Sequence, residues 1–208
     1  MLTDLSVKQF LDKTAGNEPV PGGGSISALS AALSAALTEM VANLTIGKKK
    51  YLDKEDLMKQ IAKTAKDYQN GFVKDIDADA DAYNKVFDAF KLPKDTEEQQ
   101  ALRSEKIQEA TKIAAEVPMQ VAKNAYSLMD VIVQVAKEGN QNAITDACVA
   151  MMAARTAVLG ALLNVRINLG SIKDLDYVQN MAKEADFLEK QAILKEKELL
   201  DDVKKILE

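Results

Sequence analysis

The sequence predicts an all-α fold: one domain over residues 1–208, built as a bundle of six or seven helices. Three observations carry this. Apolar residues recur at steps of three and four along most of the chain. Capping residues and glycines interrupt those runs at helical lengths. No pair of alternating apolar–polar runs marks a hairpin. With 47% hydrophobic and 28% charged residues, the composition is that of a soluble globular protein.

Ser6 opens a first helix, with Gln9 as the other half of a capping box and Val7, Phe10 and Leu11 as its apolar face; Gly16 ends it. The stretch Pro21-Gly22-Gly23-Gly24-Ser25 then feeds a second helix, capped by Ser25 or Ser27 and running to about Ile46. Consecutive glycines suit a tight turn or a close approach to the backbone. Ahead of a helix N-terminus, with its unpaired N–H groups and partial positive charge, they also suit an anion. The pattern is neither a P-loop nor a dinucleotide fingerprint, so a plain turn stays open beside a binding loop. Ile26, Leu29, Leu33, Leu37, Met40 and Leu44 form one apolar stripe of this helix. Alanines with Ser27, Ser30, Ser34 and Thr38 form a second face that lets other helices come close, which predicts a central helix with neighbours on both sides. Glu39, the serines and the charged surroundings count against a membrane span. Gly47 sits where a C-terminal cap belongs, followed by Lys48, Lys49 and Lys50. Lysines there complement the helix dipole, and three together also suit a polycarboxylate or phosphate tail.

A long helix is expected from about Asp53 to Phe90, with Gly71 a mild interruption. Its stripe runs Phe72, Ile76, Asp79, Tyr83, Val86, Phe90, so Asp79 stands where an apolar residue belongs. A buried carboxylate is costly unless paired or protonated, so Asp79 has either a structural partner or a function. Leu92-Pro93-Lys94 breaks the helix and Thr96 caps the next, which reaches about Glu116. Pro118 kinks it or starts another, and the pattern continues to Glu138 and Gly139. A helix from Asn140-Gln141-Asn142 to about Val165 places Asp146 and Asn164 about five turns apart on one line, with Ala150, Ala153, Ala157, Gly160 and Ala161 on or near it and Asn168 one turn farther. That polar–small–polar face fits close helix packing as well as it fits a site. A last helix is expected from about Asp174 to Leu207, with Phe187, Leu188, Leu194, Leu199, Leu200, Val203 and Ile206 on its buried side.

The net charge of −5 disfavours nucleic acid as a partner. No basic region precedes an apolar run at the N-terminus, so no secretory signal is expected. The single cysteine, Cys148, fits a reducing compartment. The chain has no histidine. Ser-His-Asp and Cys-His catalysis are thereby excluded, and a metal site is not expected. Proton transfer falls to Asp, Glu, Lys or Tyr with shifted pKa values.

Taken in order, Pro21–Ser25, Leu44-Thr45-Ile46-Gly47-Lys48-Lys49, Asp77-Ala78-Asp79-Ala80-Asp81-Ala82-Tyr83, Leu92-Pro93-Lys94, Val117-Pro118, Gly139-Asn140 with Asp146, and Asn164–Leu169 resemble the formiminotransferase-cyclodeaminase C-terminal domain family over about residues 5–175. The resemblance implies a cytoplasmic, all-helical homodimer that takes a tetrahydrofolate derivative as substrate. It implies a cyclodeaminase making 5,10-methenyltetrahydrofolate and ammonia from 5-formiminotetrahydrofolate. Alternatives are a methenyltetrahydrofolate cyclohydrolase giving 10-formyltetrahydrofolate and a folate-binding dimer without activity. The formimino-transferring domain of bifunctional relatives is not expected within 208 residues. We assign Asp79 as first and Asp146 as second candidate for acid–base work. Tyr83, which lies in the same motif, Asn140, Asn164 and Asn168 are candidates to bind the pterin or orient the carboxylates. Pro21, Gly22, Gly23, Gly24 and Ser25, with Lys48, Lys49 and Lys50, are candidates to hold an anionic, possibly polyglutamylated, tail. The small-residue faces of the 25–46 and 140–165 helices predict a subunit boundary near the site.

Overall fold

A computed structural model describes residues 1–207. Six α-helices and three short 3₁₀ turns account for the described elements, with no strand among them. The helices are α1 (Val7–Thr14), α2 (Gly23–Asn43), α3 (Glu55–Phe90), α4 (Glu97–Glu138), α5 (Ile144–Leu169) and α6 (Leu175–Leu207). The capping box Ser6/Gln9 forms and Thr96 caps α4 as expected, with Gln99 completing a second box. The second helix does not start as expected: Gly22 is its N-cap, without a side-chain bond, and Ser25 and Ser27 lie inside its first turns. It also ends at Asn43, short of Ile46, and Gly47 (φ +75) serves the turn beyond. Gly71 leaves α3 unbroken.

Pro118 neither ends nor restarts a helix, and α4 is continuous through it. Proline removes the N–H that would bond the carbonyl four residues back, at Ala114. The amide of Asn168, on α5, donates to that carbonyl at 2.9 Å. A neighbouring helix supplies the missing donor, so the bundle tolerates proline there.

α3, α2, α5 and α6 lie side by side, and α4 packs beneath all of them. α2 and α5 run antiparallel: Gly23 meets Asn164, Ser27 meets Gly160, and the Ser34 hydroxyl donates to the Ala150 carbonyl. A Cβ on Gly160 would stand 2.5 Å from Ser27 Oγ, so this close approach depends on glycine.

The packing meets the expectation for the small-residue face of α2 and departs from it for part of the apolar stripe. The alanine–serine faces of α2 are the buried ones: Ala28, Ala31, Ala35, Ser25, Ser34 and Thr38 are sealed between α3, α4 and α5. Half of the large apolar stripe points outward, with Leu33 56% exposed and Met40 and Leu44 also exposed, while Ile26, Leu29 and Leu37 are half-buried against the core. On α5, Val149, Met152, Leu163 and Ile167 are exposed as well, Ile167 at 76%. Close spacing on two flanks accepts small side chains only, which leaves the large ones the outer side. By length and composition both helices could cross a membrane, yet at least half of each apolar window is buried within the bundle. On α6, Leu188, Leu199 and Val203 are buried as expected, but Phe187, Leu194 and Ile206 are exposed.

Candidate active site

The glycine stretch and Asp79 meet. α2 begins opposite Asp79 on α3. From Asp79, α3 continues roughly 16 Å to Phe90 with α2 no longer beside it. The α3 stripe is therefore buried through Phe72 and Ile76, then opens, leaving Tyr83 41% exposed one turn beyond Asp79.

The Asp79 carboxylate lies against the first turn of α2. A Cβ at Gly24 would sit 2.6 Å from Asp79 Oδ2 and closer still to Oδ1, so only glycine admits the carboxylate there. The expected anion at this helix N-terminus is thus supplied by the chain's own Asp79, which also stands in for the side-chain cap that Gly22 lacks. Burial pushes the Asp79 carboxyl above the usual carboxylate range, and bonds from the Ser25 hydroxyl and backbone N–H pull it back only in part. Ser25 Oγ lies 2.9 Å from the Ile76 carbonyl and 3.2 Å from Asp79 Oδ2. A hydroxyl has one proton to give. It is therefore shared between the Ile76 carbonyl and Asp79 Oδ2, both of which accept from Ser25. Sequence reasoning passed over Asp75, one turn earlier on the same face, whose carboxyl is also raised by burial. Its helical spacing from Asp79 was the available signal. Asp77 accepts bonds from the Leu2 backbone and the Thr3 hydroxyl, and so fastens the N-terminus.

Pro21 is buried, and the Val20–Pro21 peptide is cis. Asn164 stands beside Gly23, its Nδ2 donating to the Gly160 carbonyl. Asn168 Nδ2 is committed to the Ala114 and Asn164 carbonyls. Its amide is a structural tie, with no N–H free to reach a ligand.

The other candidates lie elsewhere in the chain. α2 is roughly 30 Å long, and Lys48, Lys49 and Lys50 follow its far end. All three are exposed. Asn140 is there too: its backbone N–H donates to Thr45 Oγ1, its Nδ2 to the Leu44 carbonyl, and its Oδ1 accepts from Asn142. Those bonds anchor the C-terminus of α2. Asp146, at the start of α5, is half-buried at this same end. Asp146 and Asn164 do share a line on α5, as expected, but at opposite ends of it. Within one chain there are two clusters: Asp75, Asp79, Gly22–Ser25 and Asn164 at one end; Asn140, Asp146 and Lys48–Lys50 at the other.

A model of the formiminotransferase-cyclodeaminase family matches residues 6–187. The chain belongs to the formiminotransferase-cyclodeaminase family. Within it, the chain is 38% identical over 188 residues to methenyltetrahydrofolate cyclohydrolase of Methylorubrum extorquens, covering 90% of each. It is 34% identical over 173 residues to formimidoyltransferase-cyclodeaminase of Rattus norvegicus, covering 83% of this chain and 32% of the rat protein. The chain thus spans about a third of that bifunctional relative. The crystal structure of formiminotetrahydrofolate cyclodeaminase from Thermotoga maritima superposes with a TM-score of 0.89 at 30% identity, covering 100% of both chains. Among the described residues, no group of His, Cys, Asp or Glu is arranged to hold a metal ion.

Proposed function

We propose that this protein is a formiminotetrahydrofolate cyclodeaminase in which Asp79 moves the proton. One observation carries the assignment of Asp79: a half-buried carboxyl set against a helix N-terminus, with its pKa raised by burial and the Ser25 hydroxyl donating to it. In the reaction, N10 attacks the formimino carbon on N5 and a C–N10 bond forms. The N10 proton must leave and the amino group must gain one before the C–NH₃⁺ bond breaks. An aspartate with a raised pKa serves both halves, taking the proton from N10 as carboxylate and, as the carboxyl so formed, delivering it to the departing amine. As carboxylate it also steadies the amidinium-like cation at both stages. Asn164, beside the same glycine turn, is the candidate to orient the pterin, and Tyr83 stands exposed beyond Asp79.

A second reading is methenyltetrahydrofolate cyclohydrolase, favoured by the 38% identity to the Methylorubrum extorquens enzyme over 90% of both chains. Water then enters at the same carbon, with Asp79 as its base. A cytoplasmic setting fits the lone thiol of Cys148. The test is absorbance at the methenyltetrahydrofolate band. Supplied with 5-formiminotetrahydrofolate, the protein should build the band and release ammonia in equal amounts. Loss of the band from supplied methenyltetrahydrofolate above the spontaneous rate, without ammonia production, would select the second reading. Silence with both in a folded protein that still binds folate would leave a binding protein.

A further inference from the structure

One hollow in the bundle gathers cations that the proton transfer at Asp79 does not use. About 390 Å³ in volume, it lies where the α3–α4 turn, the first turns of α4 and the turn after α5 come together. Lys94, Arg103 and Lys173 line it, with Gln100, Ser104 and Gln108. Among the described residues, no Asp or Glu lines it. The chain has a net charge of −5, and nearby lysines are paired: Lys91 with Asp88, Lys106 with Glu109, Lys112 with Asp174. Arg155 and Arg166 also hold carboxylates. Lys94, Arg103 and Lys173 pair with none among the described residues. Three like charges gathered in a hollow without a counter-ion attract an anion.

The frame around them is fixed by hydrogen bonds. Arg103 Nε and Nη2 donate to the Phe90 carbonyl at 3.3 and 3.0 Å, which leaves the rest of the guanidinium fork to other acceptors. Gln100 Nε2 donates to the Lys94 carbonyl. Gln108 holds the opposite wall, donating to the Ser171 carbonyl and accepting from the Lys173 backbone. Lys173 Nζ donates to Ser104 Oγ at 3.2 Å, so the Ser104 hydroxyl keeps its own proton to give.

The hollow also shares a side of the molecule with Asp79. Phe90 follows Asp79 by about three full turns of α3, roughly 16 Å, and so stands on nearly the same line. Tyr83 and Phe90 are exposed along that line, and the Arg103 guanidinium lies 5.5 Å from the centre of the Phe90 ring. Carboxyl, aromatic surface and cations thus follow one another along one open strip of a single chain. We infer that this hollow is a dicarboxylate subsite: Lys94, Arg103 and Lys173 take the glutamate of a folate substrate whose reacting carbon lies at Asp79, with its p-aminobenzoyl ring along Tyr83 and Phe90. From N10, the p-aminobenzoyl group and its amide extend roughly 10 Å to the glutamate carboxylates by ordinary bond lengths. The side chains at the two ends span the remainder. The planar arginine fork suits one carboxylate, and the lysines, as mobile point charges, suit the other. Folate as the occupant rests on the functional reading above; the anion site does not.

Two experiments separate these. The first needs no turnover. p-Aminobenzoylglutamate is titrated into the whole protein by calorimetry at low salt, beside p-aminobenzoate, which lacks the dicarboxylate, and inorganic phosphate. p-Aminobenzoylglutamate should bind about 10-fold or more tighter than p-aminobenzoate, and added salt should weaken it. Lys94→Ala with Lys173→Ala should remove that preference; both side chains are exposed, so the variant should keep the wild-type Tm. No preference in the wild type, a preference unchanged in the variant, or phosphate that binds and is not displaced by p-aminobenzoylglutamate would each overturn the inference.

The second compares KM for the folate that is turned over with KM for the same compound truncated at p-aminobenzoate. Truncation should raise KM about 10-fold or more in the wild type and only about 2-fold or less in the double variant. A variant that raises KM equally for both compounds has lost shape rather than a subsite, and that result overturns the inference. A wild-type protein that turns over neither folate but still prefers p-aminobenzoylglutamate through Lys94 and Lys173 would fail the functional reading and leave the subsite standing.

Discussion

Gly24→Ala tests the contact on which the site is built. In most helices this change is favourable by about 1 kcal/mol. Here the new Cβ would fall 2.6 Å from Asp79 Oδ2 and nearer still to Oδ1, inside van der Waals contact. The obstacle is a carboxylate on a neighbouring helix, which has to rotate out or push α3 away. Overpacking of this kind costs about 1–3 kcal/mol. The lost Ser25–Asp79 hydrogen bond adds about 1 kcal/mol. After the helix gain is subtracted, the net loss is about 1–3 kcal/mol. For a chain of this length each kcal/mol lowers Tm by about 2–4 °C, so the expected drop is roughly 2–12 °C. With the carboxyl displaced, turnover should fall about 100-fold or more. The decisive assay is a double-mutant cycle by urea denaturation and calorimetry with Asp79→Ala. Once the carboxylate is gone, adding Gly24→Ala should become stabilising by about 1 kcal/mol. If Gly24→Ala alone were neutral in both Tm and turnover, or if its sign did not change in the Asp79→Ala background, the reasoning would be refuted.

Three further outcomes follow from the same structure. Burial raises the folded-state pKa of Asp79, so its contribution to stability is complete below the unfolded value, about 4, and is lost as pH rises through the folded value. The wild-type stability minus that of Asp79→Asn, measured by urea melts from pH 4 upward, should therefore decline with rising pH and then level off; a difference that grows with pH would contradict the assignment. Asn168→Ala should cost about 1–3 kcal/mol by stranding the Ala114 carbonyl, and much less in a Pro118→Ala background, where a backbone N–H returns to fill it. Equal costs in the two backgrounds, read from denaturation midpoints at constant slope, would show that the bond is incidental. Replacing Lys48, Lys49 and Lys50 with alanine should raise KM about 10-fold for a polyglutamylated folate, raise it less for the monoglutamate, and do so progressively less as salt is added. An unchanged polyglutamate KM at low salt would remove the lysines from the site.

Much of this protein was legible in the linear chain because helices are local. Periodicity, the Ser6/Gln9 and Thr96/Gln99 boxes and the Leu92-Pro93-Lys94 break depend on residues within a turn or two of one another. The anomaly of Asp79 was legible for the same reason: an acid in an apolar stripe stands out without knowing what faces it. The family, too, followed from motifs read in order. Other features depended on which helices come together, and local pattern is blind to that. Pro118 reads as a kink or a new start until Asn168 arrives from α5 to take the Ala114 carbonyl that it orphans. Asn140 and Asn168 read as ligand groups until the carbonyls they satisfy are seen. Leu33, Met40 and Leu44 read as packed like the rest of the α2 stripe, but they face outward, because the close neighbours on both flanks admit alanine and serine there. The glycine turn and the lysines look adjacent because a single helix joins them, yet that helix is rigid and holds them roughly 30 Å apart. By itself the sequence determined the helices, the family and the anomalous place of Asp79 in an apolar stripe. Only tertiary structure decided that this carboxylate fills the helix N-terminus and that Asn140, Asp146 and Lys48–Lys50 gather at the far end of α2, because both depend on contacts between residues distant in sequence.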